Sequence, residues 1–131
     1  MVRRALGALR DARAAFPALR VRFSVDPAAG TEGREYGFYD EESRVIGLAP
    51  RLAKEPRHRQ SGIVRHELGH AIAHQYGRAE LAQVAGPLPP GDEALADSLA
   101  AFVWGEAILY DGQAVQSTEV GHPKRPGFLH R

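Results

Sequence analysis

Apolar residues recur at intervals of three or four in three segments, the spacing that gathers side chains on one face of a helix. Leu6 and Leu9 are among the residues that mark the faces of the first helix, which Pro17 ends. Gly77 is a natural end for the second helix, and the stretch GPLPPG separates it from the third. The predicted helices cover residues 1–16, 61–77 and 92–110.

Two stretches between the first and second helices alternate apolar and polar residues, which is the period of a half-buried strand. Residues 34–50 predict a hairpin with a polar turn at 40–43. Residues 51–60 are basic and weakly periodic, and residues 111–131 predict an irregular tail. The first strand, within residues 19–26, would turn one face inward: Leu19, Val21, Phe23 and Val25.

This order of elements predicts one α+β domain over residues 1–131, with a small antiparallel or mixed three-stranded sheet and a core at about 19–110. A net charge of +1 gives no reason to expect nucleic-acid binding by the whole molecule. The chain has no cysteine, which excludes disulfides and thiolate metal sites. No apolar stretch has the length of a signal peptide or membrane span, so we expect a cytoplasmic protein without a membrane partner.

The sequence HELGH at residues 66–70 lies within the second predicted helix. Residues four apart share a helix face, so His66 and His70 can direct imidazole nitrogens at one metal ion. Glu67 lies about 100° further round the helix, where it can reach a water on that ion rather than serve as an equivalent ligand. The alternative is a helix with two partly exposed histidines and a solvated glutamate.

A catalytic zinc needs a third protein ligand, and the third predicted helix offers one. Glu93 and Asp97 are also four apart, so they share a face of a helix that returns after the Pro/Gly break. We predict Glu93 as the third zinc ligand and Asp97 as the acceptor for the other N–H of a ligand imidazole. The alternative is that both are acids favoured by the helix dipole, which suits Glu93 better than Asp97 in its apolar surroundings.

The remaining histidines are weaker candidates for the third ligand. His74 shares the metal-facing side but lies about 12 Å along the helix axis from His66. His58 precedes the helix in a basic segment, and His122 and His130 lie in the tail. The site is therefore predicted to hold one Zn²⁺ per chain on His66, His70 and Glu93.

With HELGH at 66–70 and EALAD at 93–97, the chain resembles the gluzincins, a group of zinc metallopeptidases. In size and element order it is similar to the minigluzincins and to the compact zincin core of the ImmA/IrrE-like peptidases. The resemblance covers about residues 19–110; it is specific at the two motifs and topological elsewhere. It implies a zincin-like fold, in which a small sheet packs on the HExxH helix and a C-terminal helix, with a cleft beside an edge strand.

The resemblance implies zinc-dependent hydrolysis of a peptide bond in a protein or peptide substrate. Glu67 would act as general base on the zinc-bound water and then pass a proton to the leaving amine. An edge strand at 44–49 would bind the extended substrate. Larger gluzincins add a His or Tyr that steadies the oxyanion, for which His74, Tyr76 and Tyr110 are the candidates here.

Two other functions stay open from the sequence. The chain could be a zincin-fold regulatory or binding protein with a structural zinc, a latent site or one dedicated protein partner. The basic run from Arg51 to Arg65 could contact nucleic acid, although a solvated face explains it better. The C-terminal tail could cover the cleft and inhibit the enzyme, as a C-terminal segment does in minigluzincins.

Overall fold

The computed structural model describes residues 1–27 and 36–105, together with the backbone of two short strands at 107–108 and 114–115. The described part contains four α-helices and a small mixed sheet, so the predicted α+β class is confirmed. The helices are α1 (Val2–Ala15), α2 (Arg57–Tyr76), α3 (Arg78–Ala85) and α4 (Asp92–Trp104). The strands are β1 (Arg22–Val25), β2 (Gly37–Asp40), β3 (Val45–Leu48), β4 (Ala107–Ile108) and β5 (Ala114–Val115), and a 3-10 helix covers Pro50–Lys54.

The sheet has the order β1-β3-β2, with β1 parallel and β2 antiparallel to β3. The predicted hairpin is confirmed, because β2 and β3 pair through the turn between Asp40 and Val45. The prediction of an edge strand at 44–49 is wrong. Both sides of β3 are paired, and Ile46 and Leu48 are fully buried. Within the described residues, the edge strand of the sheet beside α2 is therefore β2.

The helix α2 is the central element of the molecule. It packs on α1, on β2 and most extensively on α4, so most residues of its middle turns are buried. The helix begins earlier than predicted, directly after Pro56, and it ends as predicted at Gly77, whose φ is +81°. The apolar side chains of Leu68 and Ile72 on α2 are fully buried, and so is Ile63, one turn before His66.

The contact between α2 and α4 is unusually close. At Gly69 a Cβ atom would lie 2.2 Å from the main-chain oxygen of Ala96, a distance that no side chain can occupy. The absence of a side chain therefore lets the backbones of the two helices meet. This contact lies between the HELGH motif on α2 and the acids on α4.

The structure corrects several other boundaries. On α1 the fully buried side chains are Ala5 and Ala12, whereas Leu6 is 52% exposed. The helix α3 follows Gly77 directly and was not predicted. The helix α4 ends at Trp104 instead of residue 110, because Gly105 adopts the left-handed conformation that closes a helix.

The C-terminal region departs from the prediction where it is described. Backbone strands β4 and β5 pair with each other, so helix is absent at 107–108 and the segment at 114–115 is regular instead of irregular. The rest of the predicted tail, with the inhibitory role suggested for it, lies outside the described residues. Across the described residues no helix is long and apolar enough to cross a membrane.

Candidate metal centre

The two histidines of the HELGH motif lie one helical turn apart in the buried middle of α2. His66 is 1% exposed, and its ring stands nearly perpendicular to that of His70, with the ring centroids 4.7 Å apart. The side chain of His70 is 22% exposed and faces the solvent side of the centre. Both rings turn their Nε2 atoms toward the same point, because these atoms lie 3.1 Å apart.

Glu93 completes the group from the first turn of α4. One of its carboxylate oxygens, Oε1, lies 2.7 Å from His66 Nε2 and 3.3 Å from His70 Nε2. The structure thus brings together the three predicted ligands, with one ligand atom from each residue within 4.8 Å of the others. Glu93 is the exposed member of the group, with 74% of its side chain accessible.

The spacing of these three atoms suits a small tetrahedral cation. Zinc bonds of about 2.0–2.1 Å at tetrahedral angles separate neighbouring ligand atoms by about 3.3 Å. The observed separations are 2.7, 3.1 and 3.3 Å, which require only small movements to reach that value. Two imidazole nitrogens and one carboxylate oxygen are also a donor set that zinc accepts, and three protein ligands leave a fourth position open.

Asp97 lies one turn beyond Glu93, and its carboxylate Oδ1 is 2.8 Å from His66 Nδ1. Asp97 is 3% exposed and sits among the apolar side chains of α4, where an unpaired carboxylate would be costly. In the neutral form of His66 that keeps Nδ1–H donated to Asp97, the lone pair lies on Nε2, which faces His70 and Glu93. The structure therefore places Asp97 beside the second ring nitrogen of one predicted ligand histidine, the kind of contact that the sequence predicted.

The centre carries strong electrostatic coupling. Burial disfavours the charged form of His66, but its hydrogen bonds to Asp97 and Glu93 outweigh burial and raise the pKa of His66 to about 9. The hydrogen bond with His66 lowers the pKa of Glu93 to about 2. Burial, reinforced by the neighbouring charge of His66, lowers the pKa of His70. The carboxylates of Asp97 and Glu93 thus lie beside the imidazoles, and their negative potential attracts a cation.

Glu67 lines a cleft between α2 and the outer edge of β2. The cleft has a volume of about 280 Å³, and Glu67 is 4% exposed within its wall. A Cβ atom on Gly37 would lie 3.7 Å from Glu67 Cγ, so β2 passes directly over this carboxylate. The described lining residues are Gly37, Phe38, Tyr39, Glu41, His66, Glu67, His70 and Glu93.

Of the oxyanion candidates, Tyr76 lies away from the cleft, where its hydroxyl accepts a hydrogen bond from the Ala18 N–H at 2.9 Å. His74 is absent from the described cleft lining, and its Nδ1 is 2.9 Å from the hydroxyl of Tyr39. Tyr110, His122 and His130 lie outside the described residues. His58 is exposed in the first turn of α2.

Tyr39 and Gly37 also line the cleft, and neither is among the predicted site residues. Nothing in the local pattern marks them, because the period of a strand gives its two faces but not its neighbours in the sheet. Only the order β1-β3-β2 brings β2 to the rim of the cleft.

Substitution Asp97→Asn tests the support of His66. We expect zinc affinity to fall by about 10- to 100-fold, because the amide keeps the size of the side chain but removes the charge that strengthens His66 as a ligand. Competition with a chromogenic chelator measures this affinity. Asp92→Asn is the matched control, since Asp92 is exposed in the first turn of the same helix. Equal affinity in wild type and Asp97→Asn would contradict the assigned role.

No protein-family model, curated protein or solved structure matches the chain.

Proposed function

We propose that this chain is a zinc-dependent endopeptidase with a zincin-like fold, in which His66, His70 and Glu93 hold the metal. One observation carries the proposal: the three ligand atoms converge within 4.8 Å of one another, in a cleft that Glu67 also lines. A purely structural zinc site has no use for an ionisable group in the wall of an open cleft. The position of Glu67 therefore favours catalysis.

In the proposed hydrolysis, each residue of the site has a separate role. When bound, zinc would supply a Lewis acid that polarises a carbonyl and acidifies water. Glu67 takes the proton of the attacking water and passes it to the leaving amine nitrogen, which balances the reaction. Asp97 keeps His66 in the tautomer whose Nε2 is a ligand.

The substrate class follows from the strand beside the cleft. Along β2, the backbone groups of one edge pair with β3, and the other edge faces the cleft. An extended peptide can pair with such an edge through main-chain hydrogen bonds, which bring its carbonyl groups past Glu67. This arrangement supports a polypeptide substrate and agrees with a zincin-like fold.

A second candidate function is binding of one dedicated protein partner, with slow or absent turnover. It is favoured by the hydrogen bonds that the Tyr39 hydroxyl already makes. Within the described lining Tyr39 is the tyrosine of the cleft, and its hydroxyl is already bonded to His74 and Gln75. An oxyanion donor is thus not preformed there, and removing one such donor from characterised enzymes costs about 100- to 1,000-fold in rate.

Metal dependence tests the proposal directly. We expect about one zinc per chain in the purified protein, cleavage of unfolded casein, loss of cleavage with 1,10-phenanthroline and recovery on adding zinc. In His70→Ala, zinc content falls below a tenth of the wild-type value because one of three ligands is gone. His70 is preferred to His66 for this test because the buried Asp97 would lose its partner in a His66 variant.

The control for folding is the melting temperature of the metal-free proteins. Metal-free wild type and His70→Ala should unfold within a few degrees of each other, and added zinc should stabilise wild type alone. A wild-type protein that takes up no zinc would overturn the metal centre, and one that binds zinc without cleaving casein would favour the dedicated-partner function.

A further inference from the structure

A second cavity, of about 350 Å³, lies at the end of the sheet where β1 and β3 begin. Four arginines from separate parts of the chain line it, together with Ser43. Arg13 lies near the end of α1, Arg20 precedes β1, Arg22 is the first residue of β1, and Arg44 ends the turn before β3. All four are exposed, and a main-chain hydrogen bond of 3.1 Å joins the Arg22 N–H to the Arg44 carbonyl.

The guanidinium groups of this arginine cluster are not neutralised within the described residues. None of the four guanidinium groups forms a salt bridge, hydrogen bond or ring contact with residues 1–27 or 36–105. The nearby Asp40 carboxylate accepts hydrogen bonds from the N–H and hydroxyl of Ser43, which hold the turn and lower the pKa of Asp40. Glu41 of the same turn lines the catalytic cleft instead.

The concentration of charge stands out because the whole chain has a net charge of only +1. Four like charges around one cavity repel one another, so a bound anion would relieve that repulsion. Guanidinium groups form paired hydrogen bonds with carboxylates, which makes an acidic side chain a fitting ligand. The described lining contains no aromatic ring on which a nucleic-acid base would stack, which disfavours single-stranded nucleic acid.

The arginine cluster adjoins the catalytic cleft. The side-chain amide of Gln75 donates to the Arg20 carbonyl at 2.8 Å and to the Tyr39 hydroxyl at 3.0 Å, so a single side chain spans from the cluster to the cleft wall. The turn after β2 also joins the two, with Glu41 on the cleft side and Arg44 on the cluster side. A peptide lying along β2 therefore passes close to the cluster.

We propose that the arginine cluster binds an acidic segment of a polypeptide whose adjoining residues occupy the cleft. That this polypeptide is the substrate rests on the proposed function; that the cluster binds it does not. Selection of the polypeptide then depends on carboxylates several residues from the bond in the cleft. The site is distinct from the metal ligands, since none of the four arginines lines the cleft.

The test is a binding measurement that needs no turnover. Fluorescence anisotropy with the full chain carrying Glu67→Gln follows a labelled peptide with a run of glutamates and its counterpart with glutamines at the same positions. We expect the glutamate peptide to bind at least tenfold more tightly at low salt, and Arg20→Gln/Arg22→Gln/Arg44→Gln to weaken its binding about tenfold.

The matched control is Arg3→Gln/Lys54→Gln/Arg57→Gln, which removes the same charge from exposed positions outside the cavity. This variant should bind the glutamate peptide as the parent does. Equal weakening in both triple variants would overturn the proposal, because it would reduce the effect to net charge. Equal binding of the two peptides would overturn it as well.

A further arm uses a single-stranded oligonucleotide as competitor. Displacement of the glutamate peptide only at a large excess of oligonucleotide supports the proposal, whereas tighter binding of the oligonucleotide at the cluster would overturn the choice of an acidic peptide. Casein cleavage by wild type separates the two proposals. If the protein cleaves casein but does not prefer the glutamate peptide, the proposal for the arginine cluster is wrong and the peptidase proposal stands. If it prefers the glutamate peptide but does not cleave casein, the peptidase proposal is wrong and the proposal for the cluster stands.

Discussion

Replacement of Glu67 by glutamine is expected to lower peptide cleavage about a thousandfold while leaving zinc content near one per chain. The glutamine has almost the same shape, so the cleft wall and the three ligands are retained. It cannot accept a proton from water at neutral pH, so the general base is lost. Casein cleavage and zinc content, measured on the same preparation, separate the two effects.

Glu41→Gln is the matched control, because Glu41 lines the same cleft but is exposed and lies on the turn after β2. Its activity should stay within a few-fold of wild type. The melting temperature of Glu67→Gln must also be compared, since Glu67 is buried and has contacts in the folded protein. A well-folded Glu67→Gln protein that cleaves casein at the wild-type rate would rule out the assigned base.

Substitution Gly69→Ala is expected to have the largest effect on stability. The added Cβ would lie 2.2 Å from the Ala96 oxygen, so α2 and α4 must separate. We expect a loss of about 2–3 kcal/mol in the free energy of unfolding, and a melting temperature about 10 °C lower. Zinc affinity should fall by more than about 100-fold, since His66 and His70 lie on one side of this contact and Glu93 on the other.

Two further variants make this prediction specific. Gly7→Ala, in α1, meets no atom within 4 Å and should leave the zinc affinity unchanged while slightly raising stability. Adding Ala96→Gly to Gly69→Ala should not restore stability, because the obstacle is the main-chain oxygen of residue 96 rather than its methyl group. Thermal denaturation and chelator competition report both quantities. Full rescue by Ala96→Gly would show that the helices are not in backbone contact.

The grouping of the proposed metal ligands could be predicted from the sequence because their arrangement is largely local. Two histidines four apart on a helix must share a face, and so must Glu93 and Asp97. One additional inference was needed, that the chain reverses at GPLPPG and brings the second pair to the first. The reversal could be predicted because α2 and α4 are long enough for the helical spacing of their apolar residues to be recognised in the sequence.

The rim of the cleft could not be predicted in the same way. The hairpin and its turn were predicted, but the period of a strand is the same at the edge and in the centre of a sheet. The parallel pairing of β1 with β3 decides that β2 is exposed, and this pairing joins Arg22 to Val45 across distant parts of the chain. The identity of the edge strand and of the residues that line the cleft thus depends on contacts between distant parts of the chain.

The ends of the helices could be predicted at some positions and not at others. At Gly77 a positive φ ends α2, as a glycine after a periodic segment predicts. Gly105 ends α4 in the same manner, but the apolar residues that follow continue the helical period and concealed it. For α3, the short segment RAELAQVA between two glycines has too few turns for its period to be recognised.

The backbone contact at Gly69 also bears on the thermodynamics of metal binding. Where side chains set the distance between two helices, rotamer changes allow that distance to vary; a main-chain oxygen against a glycine has no such freedom. The proposed ligands from α2 and α4 are therefore brought together when the chain folds. Most of the ordering entropy of the proposed site would then be lost in folding, and little would remain to oppose the binding of an ion.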